Sequence, residues 1–327
     1  MFLEKSFIGK NKWYLYLVVL VLVFVMAQVG GIPFAVYAIV GNMDAFMQDD
    51  AQDLEALSQV RDTAGLALML FSFMVGLFAL ILFAKVLQKK KFTDYTTGRA
   101  RWDVRRFGFG ALVWGILVTV VTVQQVAGDT DVVFNFSAEK FFPLLVVGLL
   151  LFPFQTGFEE VLFRGYLMQG SALLFRRRWA ALLATSLLFG LMHSANPEID
   201  TFGFWTAMPQ YVIMGLIMGY VALKDDGIEL AAGMHFANNL LSSLLVTSDG
   251  MVFDTAAIFR DLSPEVSWID TLVMAVCGVV FILVCRAWYG FRGKVDLSAP
   301  LVPPALPLSS EQGLRVNNPD SGRTTGI

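Results

Sequence analysis

The sequence predicts an all-α membrane protein, a polytopic bundle of about eight transmembrane helices. Apolar residues make up 56% of its 327 positions and charged residues 16%, with a mean hydropathy of +0.64. A soluble domain carries about 45–50% and about 25% respectively. The apolar excess is gathered into long blocks separated by short polar stretches, and about 20 predominantly apolar residues cross a bilayer as a helix. The loops between the blocks alternate between basic and acidic. With a net charge of −3 the chain has no global attraction to nucleic acid, and none is expected as a partner. The lipid bilayer is.

Taken in order, the spans cover residues 13–40, 64–87 and 107–127, then a fourth that begins at 141 and continues past 151. The remaining four cover residues 179–193, 204–223, 228–246 and 268–288. The fifth is short, and the fourth is long, with Pro143 and Pro153 as places for a bend. The organisation that follows is an N-terminal unit of three helices with a basic loop (1–140), a central unit of helices four to seven (141–247), the last helix (248–295) and a tail (296–327). The tail, rich in Pro, Ser, Asn and Gly, reads as disordered. Cys277 and Cys285 lie on the same predicted helix and cannot be bridged without breaking it, so they read as packing residues.

Loop charge tests the count. Lys5, Lys10 and Lys12 precede the first span; Lys89, Lys90, Lys91, Arg99, Arg101, Arg105 and Arg106 follow the second. Arg176, Arg177 and Arg178 lie between the fourth and fifth, and Arg286, Arg292 and Lys294 end the eighth. The intervening loops carry Asp44, Asp49, Asp50, Asp53 and Glu55, then Asp129 and Asp131, Glu198 and Asp200, and Asp249, Asp254 and Asp261. Basic loops stay in the cytoplasm, so eight spans with both termini cytoplasmic fit every loop. In a bacterium this is a plasma-membrane protein. The first apolar run is too long for a cleavable signal core. The basic loop at 89–106 can attract anionic lipid, but topology alone accounts for it.

Within the spans the ionisable residues are Glu159, Glu160, Arg164, His193 and His235, accompanied by Asn238 and Asn239. Buried charge in a bilayer is costly and marks function, and these two histidines are the only ones in the chain. Glu160 and Arg164 are four apart on one helical face and can pair, while Glu159 points about 100° away and is left for chemistry. Phe189 and His193, and His235 and Asn239, repeat the four-residue spacing. Three helices thereby offer polar groups to one site. Taken singly, each group has a plainer reading as a structural ion pair, an interhelical hydrogen bond or packing.

Glu159-Glu160-x-x-x-Arg164, Phe189-x-x-x-His193 and His235-x-x-x-Asn239, in that order and with Gly165 after the arginine, resemble the three motifs of the CAAX-protease and bacteriocin-processing (CPBP, or Abi) family, which includes the type II CAAX prenyl endopeptidases. The resemblance covers about a third of the chain. It implies an intramembrane endopeptidase acting on a peptide or membrane-protein substrate. Glu159 would be the general base and His193 would position the water. Glu160 and Arg164 would hold the base in register, and His235 and Asn239 would donate to the oxyanion. No Ser or Cys sits beside these residues as a nucleophile, which favours direct attack by water. A zinc version, with His193 and His235 as ligands and a glutamate as the third, is the competing mechanism. Its histidines lie on different helices and Asn239 is a poor zinc ligand, so the metal-independent version is preferred. Two other classes fit intramembrane charge: a non-enzymatic immunity or scaffold protein, and a proton-coupled transporter.

Overall fold

A computed structural model describes residues 1–41, 62–249, 251–252, 254–291 and 296–303. The acidic residues between Asp44 and Glu55, Arg292, Lys294 and the tail beyond 303 lie outside the described residues. Each expected span is a helix: α1 (Trp13–Gly41), α2 (Thr63–Gln88), α3 (Val104–Gly128), α4 (Ala138–Phe175), α5 (Arg178–Met192), α6 (Phe204–Asp225), α7 (Glu229–Leu245) and α8 (Trp268–Tyr289). Six of them are long and apolar enough to cross a membrane. The other two are α5, with 15 residues, and α7, with 17. His235 lies on α7, and His193 caps the C-terminal end of α5.

α4 is 38 residues long because it does not end where its apolar run does. It passes through Pro143 and Pro153 as α-helix to Glu160, widens into a π-helical stretch over Val161–Leu167, and resumes over Met168–Phe175. The irregularity therefore falls on the charged motif and not at either proline. Single π turns inside α-helices are frequent at functional sites. Gly165 sits in this stretch because the carbonyl of Tyr95 would lie 2.6 Å from any Cβ there.

α7 is the central element. It packs against α3, α4 and α6, and its buried positions, from Glu229 through His235 to Leu244, run round most of its circumference. Small residues let α3 come close: a Cβ at Gly233 would meet the carbonyl oxygen of Phe107 at 1.9 Å, and one at Gly110 the carbonyl of Leu230 at 2.3 Å. Outside this core α1 packs on α2, α2 on α4, and α6 on both α5 and α8. The outer faces of α1 and α8 present Leu17, Val21, Phe24, Val276 and Leu283, all exposed and apolar, as lipid-facing helices do.

The two ends of the bundle differ. At one end Arg99 reaches Asp225 at 2.8 Å and Glu229 at 3.1 Å, and Arg106 pairs with Asp225 and Asp103, tying the basic loop to the turn between α6 and α7. At the other end three short strands, β1 (Val132–Phe134), β2 (Val246–Ser248) and β3 (Phe259–Asp261), form a sheet in the order β1-β3-β2. β3 runs antiparallel to β1 and parallel to β2. Arg260 holds this end through Asp249 at 2.6 Å and Asp254 at 2.9 Å. Exposed tryptophans mark both ends: Trp13, Trp179 and Trp288 near the first, Trp205 and Trp268 near the second, the pattern of interfacial aromatic belts. Cys277 and Cys285 are free.

Candidate active site

Glu159 and Glu160 close the regular part of α4, immediately before the π-helical stretch, and both are buried. Arg164, one turn on, donates from Nη1 to Oε1 of Glu160 at 2.8 Å. It is 1% exposed and its guanidinium lies 4.1 Å from the centre of the Phe189 ring. The ion pair expected from the four-residue spacing is therefore present, and Phe189 of α5 supplies a second contact to the cation.

His235, in the second turn of α7, sits between the two carboxylates. Its Nδ1 is 2.8 Å from Oε1 of Glu160 and its Nε2 is 3.6 Å from Oε2 of Glu159. Donation from Nδ1 to Glu160 fixes the ring and aims Nε2 at Glu159. Oε2 of Glu159 accepts no hydrogen bond among the described residues.

His193 is the residue that ends α5. Its Nδ1 is 2.7 Å from the carbonyl of Phe189, so that nitrogen carries the proton and Nε2 keeps a lone pair. The ring is held between Phe189, 4.5 Å away, and Tyr211 of α6, which stacks on it at 4.4 Å and 21°. Phe189 also meets His235 edge-on at 5.9 Å. One phenyl ring thus touches Arg164, His193 and His235.

Asn239, one turn beyond His235, donates to Oε1 of Gln155 at 3.0 Å, and Nε2 of Gln155 donates to Oε1 of Glu159 at 2.6 Å. Asn238 donates to Asn239 at 3.2 Å and accepts from the indole of Trp114 on α3 at 3.1 Å. The structure thus brings Glu159, Glu160, Arg164 and His235 into direct contact, joins Asn239 through Gln155, and joins His193 through Phe189. Gln155, Trp114 and Tyr211 were not picked out from sequence. A signal existed for Gln155: with Thr156 it is one of two polar residues in an otherwise apolar run, four before Glu159. Trp114 and Tyr211 reach the site across helix contacts that no spacing reveals.

The Nδ1 bonds of the two imidazoles are of the kind metal-ligating histidines make. Among the described residues, however, no three His, Cys, Asp or Glu side chains gather as a metal-holding group. Glu160 is committed to Arg164 and His235. A His₂Glu set would therefore have to take Glu159, whose Oε2 is unbonded, as its third ligand.

Comparison with known proteins agrees with the motifs. An uncharacterized protein of Bacillus subtilis (strain 168), YyaK, is 29% identical over 209 residues, covering 63% of this chain and 69% of the relative. No solved structure matches. Residues 139–241, which include all seven side chains of the three motifs, match the family model for type II CAAX prenyl endopeptidases of the Rce1-like kind.

Proposed function

We propose that this protein is an intramembrane endopeptidase that hydrolyses a peptide bond in a membrane-associated protein or peptide, lipid-modified substrates included. The observation that carries the reading is Glu159 held with an unbonded oxygen facing Nε2 of His235, in a buried setting where Glu160 and Arg164 neutralise each other. Oε2 of Glu159 is the general base. A water between it and the lone pair on Nε2 of His193 loses a proton to the carboxylate and attacks the scissile carbonyl. His235, carrying a proton on Nε2, and the second amide hydrogen of Asn239 donate to the oxyanion. Glu159 then passes its proton to the departing amine as the C–N bond breaks, so one water is consumed and the base is regenerated.

The buried surroundings favour this chemistry, because fixed donors act more strongly where water is excluded. Basic loops at one end, acidic loops at the other and tryptophans at both support a multi-pass orientation with both termini in the cytoplasm. The test is cleavage of a panel of lipidated and unlipidated peptides by reconstituted protein, comparing wild type with Glu159→Gln, each with and without a chelator. Loss of a general base costs about 10²–10⁴-fold, so Glu159→Gln falls to background while chelator leaves the wild type unchanged. Equal cleavage by the folded variant removes Glu159 as the base. A scaffold would tolerate the substitution, and a transporter would move protons or solute without cleaving.

A further inference from the structure

We infer that Trp114, on a helix outside the matched family region, is a positioning residue for Glu159, acting through a one-way relay of hydrogen bonds. The inference rests on Glu159 being the base. The relay runs from Nε1 of Trp114 to Asn238 at 3.1 Å, from Asn238 to Asn239 at 3.2 Å, from Asn239 to Gln155 at 3.0 Å, and from Gln155 to Glu159 at 2.6 Å. It crosses from α3 to α7 to α4.

Its direction is fixed at both ends. An indole N–H can only donate, and an ionised carboxylate can only accept. Three primary amides lie between, each able to turn over by 180°. Trp114 compels Asn238 to offer its oxygen, which leaves its amide hydrogens for Asn239, and the same constraint passes on to Gln155. Gln155 therefore presents its NH₂ to Glu159. Were the amides reversed, the oxygen of Gln155 would face an oxygen of Glu159, an arrangement tolerable only when the carboxyl is protonated and unable to act as a base. Trp114 and Gln155 are buried, at 3% and 4% exposure, so water does not easily replace a missing member.

The relay also decides which oxygen of Glu159 is left for chemistry. With Oε1 tied to Gln155, Oε2 is the one that faces His235. The other charged or titratable groups around the carboxylate are Glu160 and Arg164 from α4, His235 from α7 and His193 from α5, with Tyr211 of α6 behind His193. None of them contacts Oε1 of Glu159 within hydrogen-bonding distance, so its only such donor among the described residues is Gln155.

The test uses the full chain in lipid and reads the carboxylate by infrared difference spectroscopy as pH is varied. The Glu159 band is the one that Glu159→Gln removes, so the measurement requires no substrate. A donor to an ionised group contributes about 1.5–3 kcal/mol, and 1.36 kcal/mol corresponds to about one pH unit. Gln155→Leu therefore moves the midpoint up by about one to two pH units. Trp114→Phe keeps a ring against Phe281, which Trp114 meets edge-on at 5.7 Å, and moves the midpoint in the same direction by less. The double variant matches Gln155→Leu alone, because Trp114 acts only through Gln155.

If Trp114→Phe leaves the midpoint unmoved, or if the two shifts add, the relay is overturned. Cleavage assays on the same proteins separate the two claims. A drop in kcat with KM unchanged in Trp114→Phe supports the relay. An active Glu159→Gln refutes the catalytic reading itself, whatever the infrared titration shows.

Discussion

Arg164 is the group whose removal the site tolerates least. Its guanidinium is 1% exposed, bonded at 2.8 Å to a Glu160 that is fully buried, and stacked 4.1 Å from the ring of Phe189. Arg164→Leu leaves Glu160 with His235 as its one remaining donor among the described residues. Removing one partner of a buried pair costs about 3–5 kcal/mol. At about 2 °C per kcal/mol for a chain of this size, the apparent Tm falls by on the order of 6–10 °C. Arg164→Lys keeps the charge but loses the planar contact with Phe189, and falls between the two. Removing both charges in Glu160→Gln/Arg164→Leu recovers part of the loss, because no unpaired ion is left. The assay is thermal unfolding of purified protein at one fixed scan rate. An Arg164→Leu protein as stable as wild type, or a double variant less stable than Arg164→Leu alone, refutes the reasoning.

Two further outcomes concern the scaffold. Gly233→Ala places a Cβ against the Phe107 carbonyl and is expected to abolish the monodisperse folded species on size-exclusion chromatography. Gly128→Ala, where a Cβ meets nothing within 4 Å, leaves it intact. Lys90 is buried, with Nζ donating to Ser6 and Gln169, and burial pushes its ammonium down to about 8 from the ordinary 10.5. The folded protein therefore releases this proton more readily than the unfolded chain, so the contribution of Lys90 to the pH dependence of stability is flat below about pH 8 and rises from there towards 10.5. Thermal unfolding across that window shows the rise in wild type, and Lys90→Met removes it.

The sequence was most informative where function forces a polar residue into an apolar run. Glu159, Glu160, Arg164, His193 and His235 stand out because nothing about crossing a membrane requires them, and the structure brings their helices together. The alternation of loop charge agreed with the count of the helices for a similar reason, since it reflects insertion and not packing. What the sequence could not reveal is how the helices touch. The π-helical stretch at Val161–Leu167 has no proline to announce it, and both prolines of α4 lie before it. Trp114 is an aromatic in an apolar span, and only the close approach of α3 to α7 at Gly110 and Gly233 brings it to Asn238.

The two helices that read as spans but fall short of span length explain how a polar site can exist here at all. At 1.5 Å per residue, the 15 residues of α5 rise about 22 Å and the 17 of α7 about 26 Å, against a hydrocarbon core of about 30 Å. Irregular backbone at membrane depth is tolerated only where protein or a watery cavity surrounds it. His193, where the regular backbone of α5 ends, has such protein surroundings, with Nδ1 bonded to the Phe189 carbonyl of the helix's own last turn and its ring enclosed by Phe189 and Tyr211. α7 lies at the centre of the bundle, packed against α3, α4 and α6. Because α5 ends at His193, the imidazole lies against Tyr211 of α6 instead of continuing a regular helix. The shortened helix thus leaves His193, at its end, against the same Phe189 ring that meets Arg164 and His235.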